Sequence, residues 1–395
     1  MSIDESQVAS AVAHVDDPEL RRPLGELGMV ASVHTRRRKA TVELALPVAT
    51  YPQVDELVGR VRAAVARVGG VDEVLVETTV MDEEARAYLR MLLRGDAVPG
   101  GTMHAEDDQG HDHGHDHGSG GALGHEEGRP NKFMEPRSKT RVLGISSGKG
   151  GVGKSSVTVN LAVALARAGY DVGILDADVY GFSVPKMLGI RSDPMIIGDL
   201  VVPPTANGVR CLSMGFFVAD DTPVIWRGPM LHKALEQFLV DAYWGEPDFL
   251  LIDMPPGTGD VTLSLGQYLT KTEVFVVTTP QPAAQRVAQR SAYAARKLKL
   301  AVRGVIENMS WFTGDDGTRY ELFGAGGGEQ LARDLGVPLL GTVPLVPALR
   351  EGGDQGVPVV IADPEGEAAQ VFAQLAATIA SLGPARVYRR ELTVK

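Results

Sequence analysis

Length, composition and charge exclude several classes of protein. The chain has 395 residues, enough for two domains and a linker, and 44% of them are hydrophobic, an ordinary fraction for a globular protein. Its net charge of −11 argues against non-specific binding to nucleic acid or to an anionic membrane surface. No apolar run reaches the roughly 18 residues of a membrane helix. The polar, acidic start and the single cysteine, Cys211, predict a cytoplasmic protein without an intrachain disulfide.

Residues 1–98 are predicted to form a small α+β domain. The segment SQVASAVAHV has the helical spacing of Val8, Val12 and Val15. MVASVHTRRRKATVELAL alternates as a β-hairpin with a basic turn, and VDEVLVETTV alternates as a further strand. Between them, PQVDELVGRVRAAVARVGG is typical of an amphipathic helix that ends at Gly69 and Gly70.

Residues 99–138 are rich in glycine, histidine and acids, and poor in bulky apolar side chains. Such a segment cannot bury enough surface to offset its ordering entropy, so we predict a disordered linker. Imidazoles occur at every second position and could chelate a divalent metal, at His111, His113, His115 and His117. Their spacing matches no closed structural zinc site, and the alternative is a soluble linker with adventitious metal affinity.

Residues 139–384 alternate short β-branched segments with helical ones. The segments RVLGIS, DVGILD, FLLIDM and EVFVVTT are almost continuously apolar, which is typical of strands buried on both faces of a parallel sheet. We therefore predict a doubly wound α/β domain with a mostly parallel sheet. Residues 385–395 form a short basic tail.

The stretch GKGGVGKSS fits the phosphate-loop pattern G-x-x-x-x-G-K-[ST], with a predicted strand before it and a helix after it. Glycines let backbone N–H groups turn toward phosphate, and the helix N-terminus adds a favourable dipole. Lys154 is expected to reach the β- and γ-phosphates, and Ser155 to bind Mg²⁺. The residues expected to hold the nucleotide in this loop are Gly148, Gly150, Gly151, Val152, Gly153, Lys154, Ser155 and Ser156.

Acidic residues follow two of the predicted strands. ILDADVYG places Asp176 and Asp178 after one strand, where a carboxylate could order the attacking water or lie near Mg²⁺. LLIDMPPGTGD places Asp253 at a Walker-B-like position, suited to a water-mediated Mg²⁺ contact. Gly257 could bring a backbone N–H to the γ-phosphate. The alternative for each aspartate is a strand-end cap.

KGGVGKSSVTVNLAVALARAGYDVGILDADVYG resembles the deviant phosphate-loop ATPases, the group that includes MinD, ParA and the nitrogenase iron protein. The resemblance implies that the extra lysine, Lys149, reaches across a homodimer interface to the partner's nucleotide and offsets charge that develops during hydrolysis. The residues alone also allow Lys149 to act in cis.

PPGTGDVTLSL, VIWRGPML, SMGFF and ENMSWF resemble the Mrp/ApbC branch of this group, the iron–sulfur cluster carriers, over about residues 139–380. The DPEL element at Asp17, Pro18 and Glu19 resembles the iron–sulfur assembly domain that precedes many bacterial members. The resemblance implies ATP, Mg²⁺ and an iron–sulfur cluster as ligands, and it puts Asn308 near the adenine. The alternative for Asn308 is a turn residue at a strand end.

The chain departs from this family where the cluster ligands are expected. Members usually carry C-x-x-C soon after NMS, and this chain has Thr313, Gly314, Asp315 and Asp316 there. The assembly domain's cysteine before a proline is also absent, since Tyr51 occupies that place. One cysteine per subunit gives two per homodimer, so a bridging four-cysteine cluster cannot be built. Cys211 is interpreted as a core residue, and GDDG as a turn between two strands rather than an oxygen-ligand site with Glu321.

The leading hypothesis is a homodimer that hydrolyses ATP, with Lys149, Lys154 and Asp178 as catalytic residues, and acts in iron–sulfur cluster assembly or transfer to apo-proteins. The second is a cluster-free, ATP-dependent switch that escorts a partner protein, and the third is a positioning ATPase of the MinD/ParA kind. The expected partners are apo iron–sulfur proteins or assembly factors, without nucleic acid or membrane.

Overall fold

The structure is a computed structural model that describes residues 4–95, 131–179, 181–217, 228–257 and 260–384. The predicted histidine run at 111–117 and the basic tail at 385–395 lie outside these residues. The chain divides into two compact units, and the described part of the first consists of 4–95, 195–202 and 241–245. Among the described helices, none is long and apolar enough to cross a membrane.

The first unit contains the predicted hairpin, helices and strand. Its elements from residue 5 to 94 are α1 (Glu5–Ala13), β1 (Val30–Arg36), β2 (Lys39–Leu46), α2 (Val54–Val65), β3 (Glu73–Val80) and α3 (Glu83–Arg94). The sheet has the order β1-β2-β3, with β1 antiparallel and β3 parallel to β2. Alternate residues of β2 are buried, as its period-2 pattern predicts. The side chain of Asp82 accepts a hydrogen bond from the Ala85 N–H and so caps α3, a helix that was not predicted from the sequence.

After a short 3₁₀ helix at Lys132–Met134, at the end of the predicted linker, the remaining strands and α-helices begin at residue 141. In chain order they are β4 (Arg141–Ser147), α4 (Lys154–Arg167), β5 (Val172–Asp176), α5 (Val184–Leu188), β6 (Met195–Ile197), β7 (Leu200–Val202), β8 (Thr205–Ala206), β9 (Val209–Ser213), α6 (Gly228–Val240), β10 (Phe249–Asp253), α7 (Asp260–Tyr268), β11 (Glu273–Thr278), α8 (Pro282–Lys297), β12 (Ala301–Glu307), β13 (Phe312–Thr313), β14 (Arg319–Tyr320), α9 (Gly327–Leu335), β15 (Leu339–Thr342), α10 (Pro347–Gln355), α11 (Val359–Ala362) and α12 (Glu367–Ser381).

The hairpin of β6 and β7 belongs to the first unit, although it lies far along the chain. Met195, Ile197, Leu200 and Val202 are buried in the same core as Val8 of α1. The strands have only three residues each, too few for a sequence pattern to reveal them.

The second unit is built on a sheet of order β15-β12-β11-β4-β10-β5-β9-β8, in which β8 alone runs antiparallel to its neighbour. Strands β4, β5, β10 and β11 are buried at every residue, in agreement with their almost continuously apolar sequences. The predicted doubly wound, mostly parallel α/β fold is confirmed. The chain leaves β4 toward β5 and later returns to β11 on the other side of β4. The carboxyl end of β4 is therefore a topological switch point, where open α/β sheets bind ligands.

A buried ion-pair network lies at the opposite end of this sheet, where strands β4 and β11 begin. Arg141 donates two hydrogen bonds of 2.9 Å to the carboxylate of Glu273, and the guanidinium of Arg303 lies 3.1 Å from the same carboxylate. Arg141 also donates to the Ile379 carbonyl, while Arg303 donates to the Gly383 carbonyl. The network thus joins three strands to the carboxyl end of α12, where cations complement the helix dipole.

Candidate nucleotide-binding site

The loop between β4 and α4 has a backbone path that requires glycine. Gly153 has φ +77°, and a Cβ there would lie 2.2 Å from Nδ2 of Asn308. A Cβ on Gly148 would lie 2.2 Å from the backbone nitrogen of Ala288. Gly150 and Gly151 instead border open space, which leaves room for a ligand against the backbone.

This loop borders a cavity of about 390 Å³ at the amino end of α4. Such a volume is within the range of small-molecule and cofactor sites. The cavity is lined by Ser147, Lys149, Gly150, Gly151, Val152, Gly153, Lys154, Ser155, Ser156, Asp178, Gly181, Ser183, Met187 and Pro256. The glycine backbone, the helix dipole and a lysine therefore converge on one space, an arrangement suited to an anionic phosphate chain.

Two of the predicted cavity-lining residues, Lys154 and Ser155, contact a third predicted residue, Asp253, which lies behind the lining. Nζ of Lys154 lies 2.6 Å from Oδ2 of Asp253, and Ser155 donates its hydroxyl to the same oxygen at 2.6 Å. Asp253 ends β10 and is fully buried. Its carboxylate thus holds a lysine and a hydroxyl at the start of α4, as a Walker-B position would.

Thr158 is a fourth member of this cluster and was not predicted from the sequence. Its hydroxyl lies 2.7 Å from Oδ1 of Asp253 and 3.0 Å from the Lys154 carbonyl oxygen. The available signal was its spacing, because a residue four positions after Lys154 lies on the same face of the helix.

Asp176 lies beside Asp253, because the two are register partners on parallel strands β5 and β10. Its carboxylate accepts hydrogen bonds from the Asp178 and Val184 N–H groups and from the Ser213 hydroxyl. Burial is the larger cause, and repulsion from the Asp253 carboxylate the smaller one, of a rise in the pKa of Asp176 to about 7. Asp176 is not among the residues that line the cavity, unlike Asp178, whose Oδ2 lies 3.7 Å from Nζ of Lys154.

Two other predicted residues have unexpected surroundings. The N–H of Gly257, expected at the γ-phosphate, donates to the Ser147 carbonyl oxygen at 3.0 Å, so a contact with phosphate would require that bond to break. Lys149 is exposed at the rim of the cavity, and its carbonyl oxygen accepts a hydrogen bond from the Ser147 hydroxyl. The exposed side chain of Lys149 is therefore not fixed by packing against buried residues.

Asn308 follows β12 and lies under the loop. Its Nδ2 donates to the Val152 carbonyl oxygen at 2.9 Å, which fixes the orientation of the amide because that carbonyl can only accept. Oδ1 of Asn308 is then a buried acceptor without a hydrogen-bond donor among the described residues. Asn308 borders a second cavity of about 230 Å³, which also contacts Gly153 and Ser156. Its apolar walls include Met187, Met309, Leu345, Val346 and Leu349.

The described residues do not provide cluster ligands. Cys211 is fully buried in β9, and burial raises the pKa of its thiol well above the usual range. The predicted turn is confirmed: Gly317 N–H donates to the Gly314 carbonyl oxygen, between β13 and β14. Asp316 accepts hydrogen bonds from the N–H and hydroxyl of Thr318. Within the described parts of the chain, no group of three or more His, Cys, Asp or Glu side chains is placed to hold a metal ion.

Comparison with known proteins assigns the family. The model of the ParA family, described as NUBPL iron-transfer P-loop NTPase, matches residues 138–380. The chain belongs to this family. A second family model, iron–sulfur cluster assembly protein, matches residues 5–76. The resemblance to deviant phosphate-loop ATPases with an N-terminal assembly domain is therefore confirmed.

Relatives of this iron-transfer P-loop NTPase are similar over most of their length. A protein of Mycobacterium bovis named iron–sulfur cluster carrier protein is 45% identical over 365 residues, which cover 91% of this chain and 88% of the relative. A protein of Synechocystis with the same name is 37% identical over 380 residues, which cover 94% of this chain and 96% of the relative. A solved nucleotide-binding protein of Archaeoglobus fulgidus, in complex with ADP, has a TM-score of 0.51 and 33% identity; the match covers 59% of this chain and 93% of that one.

Proposed function

We propose that this P-loop NTPase binds Mg·ATP, hydrolyses it to ADP and phosphate, and uses the cycle in iron–sulfur cluster assembly or transfer to apo-proteins. The observation that carries the proposal is the buried contact of Lys154 and Ser155 with Asp253, beneath a glycine loop that borders an open cavity. The names of the Mycobacterium bovis and Synechocystis relatives support the cellular role.

The phosphates are proposed to lie against the glycine loop, where they would attract the ammonium of Lys154 away from Asp253. Mg²⁺ prefers oxygen ligands and keeps several waters, so the Ser155 hydroxyl and a water-mediated contact with the Asp253 carboxylate fit this ion. Its charge would stabilise negative charge on the phosphates. Asp178, near Lys154, is the carboxylate that we propose orients the attacking water. Asp176 is proposed to stabilise this site without contacting the nucleotide, since its oxygens already accept three hydrogen bonds.

The base is proposed to occupy the smaller cavity beside Asn308. Oδ1 of Asn308 is a buried acceptor that lacks a donor there, and the exocyclic amino group of adenine would supply one. Guanine presents a carbonyl oxygen at the equivalent position, which would leave Asn308 facing another acceptor. The geometry therefore favours ATP over GTP.

Lys149 is proposed to act on the nucleotide of a second subunit in a homodimer. Its exposure at the cavity rim, without an ion pair among the described residues, supports a side chain that is available to another molecule. A cis role is the alternative, because Lys149 also lines the cavity of its own loop.

The iron–sulfur cluster is the cargo of the proposed cycle rather than a resident cofactor. Clusters are held mainly by cysteine thiolates, and the single thiol of this chain is buried and disfavoured as a thiolate. We therefore propose that a partner protein supplies the cluster ligands. The same observation favours a second candidate function, an ATP-dependent switch that escorts a partner without handling a cluster.

The two candidates differ in cluster transfer. The full chain, with the alternating histidines at 111–117 replaced by serine to avoid loose metal, would be incubated with a cluster-loaded scaffold and an apo-dehydratase that needs a four-iron cluster. ATP-dependent acceleration that is lost in Lys154→Ala would support the transfer function. Hydrolysis without any acceleration would favour the switch. Iron and acid-labile sulfide retained by the isolated chain would contradict a partner-supplied ligand set.

A further inference from the structure

The hydroxyl of Thr158 has one proton and two acceptors within reach. The acceptors are Oδ1 of Asp253 at 2.7 Å and the Lys154 carbonyl oxygen at 3.0 Å. Since neither of them can donate to the hydroxyl, it makes one full hydrogen bond at a time. The carboxylate is both closer and charged, so it is the favoured acceptor.

The two oxygens of Asp253 therefore have different kinds of partner. Oδ2 is in contact with the Lys154 ammonium and the Ser155 hydroxyl, the groups that Mg·ATP would recruit under the proposed function. Oδ1 is in contact with Thr158, whose buried side chain is not part of the cavity lining. Under the proposed function, Oδ2 would exchange its partners on nucleotide binding, whereas Oδ1 would keep the Thr158 hydroxyl.

We propose that Thr158 is a positioning residue that holds Asp253 by Oδ1 while Oδ2 changes partners. This proposal rests on the proposed function. The last torsion of an aspartate side chain is soft, so a carboxylate without an anchor would rotate when its lysine leaves. Asp253 is fully buried and would then leave an oxygen without a donor, at a cost that weakens the Mg²⁺-loaded state.

The opposing account is that Thr158 merely packs inside α4. Valine has nearly the shape of threonine without the hydroxyl, whereas serine keeps the hydroxyl and loses a methyl group. A packing role therefore predicts that Thr158→Ser is the more harmful change, and a positioning role predicts that Thr158→Val is. Thr272→Val is a matched control. The buried hydroxyl of Thr272 also donates to a carbonyl oxygen, that of Leu269, but it lies just before β11, at the end of the sheet opposite the nucleotide loop.

The test is the affinity of the full-length variants for a fluorescent, non-hydrolysable ATP analogue, measured with and without Mg²⁺. For Thr158→Val we expect the gain in affinity from Mg²⁺ to fall roughly tenfold, the size expected for one lost hydrogen bond to a charged group. Affinity without Mg²⁺ should stay close to that of the wild type. Thr158→Ser and Thr272→Val should keep the full gain.

A wild-type response to Mg²⁺ in Thr158→Val, or an equal loss in Thr158→Ser, would overturn the inference while leaving the proposed function intact. Wild-type protein that binds no nucleotide would overturn both. Melting temperatures check that the variants are folded. If Thr158→Val is not, Thr158→Ala replaces it, since alanine is tolerated in a helix and also removes the hydroxyl.

Discussion

The ammonium of Lys154 lies 2.6 Å from Oδ2 of Asp253, in the place where a phosphate would compete for it. The pair is buried, so each charge compensates the desolvation of the other. The lysine is thus held beside the cavity rather than extended into solvent. Under the proposed function, the phosphates of a bound nucleotide would replace the Asp253 carboxylate as the anion in contact with Lys154.

Lys149→Ala tests whether the second lysine acts on hydrolysis or on binding. If Lys149 stabilises developing charge on a partner's nucleotide, kcat should fall by roughly 100-fold or more while the affinity for ATP changes little. Steady-state phosphate release and equilibrium binding of a fluorescent nucleotide measure the two effects. Mixing this variant with Lys154→Ala protein should restore part of the activity in a trans mechanism. Equal losses in binding and turnover, without restoration, would indicate a cis role.

Asn308→Ala tests base recognition. The substitution removes the buried acceptor proposed for adenine, so the preference for ATP over GTP should fall roughly tenfold, as expected for one buried hydrogen bond. Competition of both nucleotides against a fluorescent analogue gives the ratio. Binding of inorganic triphosphate is the control, since it needs only the loop. An unchanged ratio would leave Asn308 as a turn residue that supports Val152.

Glu273→Gln tests the ion-pair network at the opposite end of the sheet. The change keeps the shape of the side chain but leaves the buried guanidinium of Arg141 without its counter-ion, and we expect the free energy of unfolding to fall by about 3–5 kcal/mol. Urea unfolding measures this value. The matched control is Glu329→Gln, which breaks an exposed pair with Arg333 and should cost less than about 0.5 kcal/mol. Similar losses in both variants would show that the buried network adds no special stability.

Asp17→Asn tests a buried carboxyl in the first unit. Burial raises the pKa of Asp17 above its ordinary value of 3.8, although the Leu20 N–H and the Tyr51 hydroxyl donate to Oδ1. The folded chain therefore holds this proton more tightly than the unfolded chain. The free energy of unfolding should fall as pH rises from about 4 through the raised pKa, and level off above it.

Asparagine offers the same Oδ1 acceptor and does not titrate. Subtracting its urea-unfolding free energies from those of the wild type, at each pH from about 4 to 7, cancels the titration of the other groups. The difference should decrease with rising pH. A flat or rising difference would contradict the raised pKa of Asp17.

The main features of the site could be predicted because they are local. The pattern from Gly148 to Ser156 specifies a strand, a glycine turn and a helix, and the apolar run before Asp253 specifies a buried strand that ends at the same edge. Parallel pairing then brings Asp253 beside the loop. The core position of Cys211 and the turn at Gly314–Gly317 also follow from local composition.

Other features depend on packing and could not be predicted in this way. Whether Thr158 or Ser213 donates to a carboxylate is decided by the distance between elements that are far apart in sequence. The Gly257 N–H was expected at a phosphate, but the chain returns close enough to β4 for it to donate to Ser147. The contribution of β6 and β7 to the first unit also depends on contacts between distant segments.

The most direct test of the account is ATP hydrolysis by wild-type protein and by Lys154→Ala, measured as phosphate release with Mg²⁺. Lys297→Ala is the control, because Lys297 is an exposed lysine at the end of α8 and is not among the cavity-lining residues. The account predicts that wild type and Lys297→Ala hydrolyse ATP at similar rates, and that Lys154→Ala loses at least about 100-fold, since it lacks the cation that contacts the phosphates. Turnover near the wild-type rate in Lys154→Ala would contradict the assignment of this loop as the catalytic site.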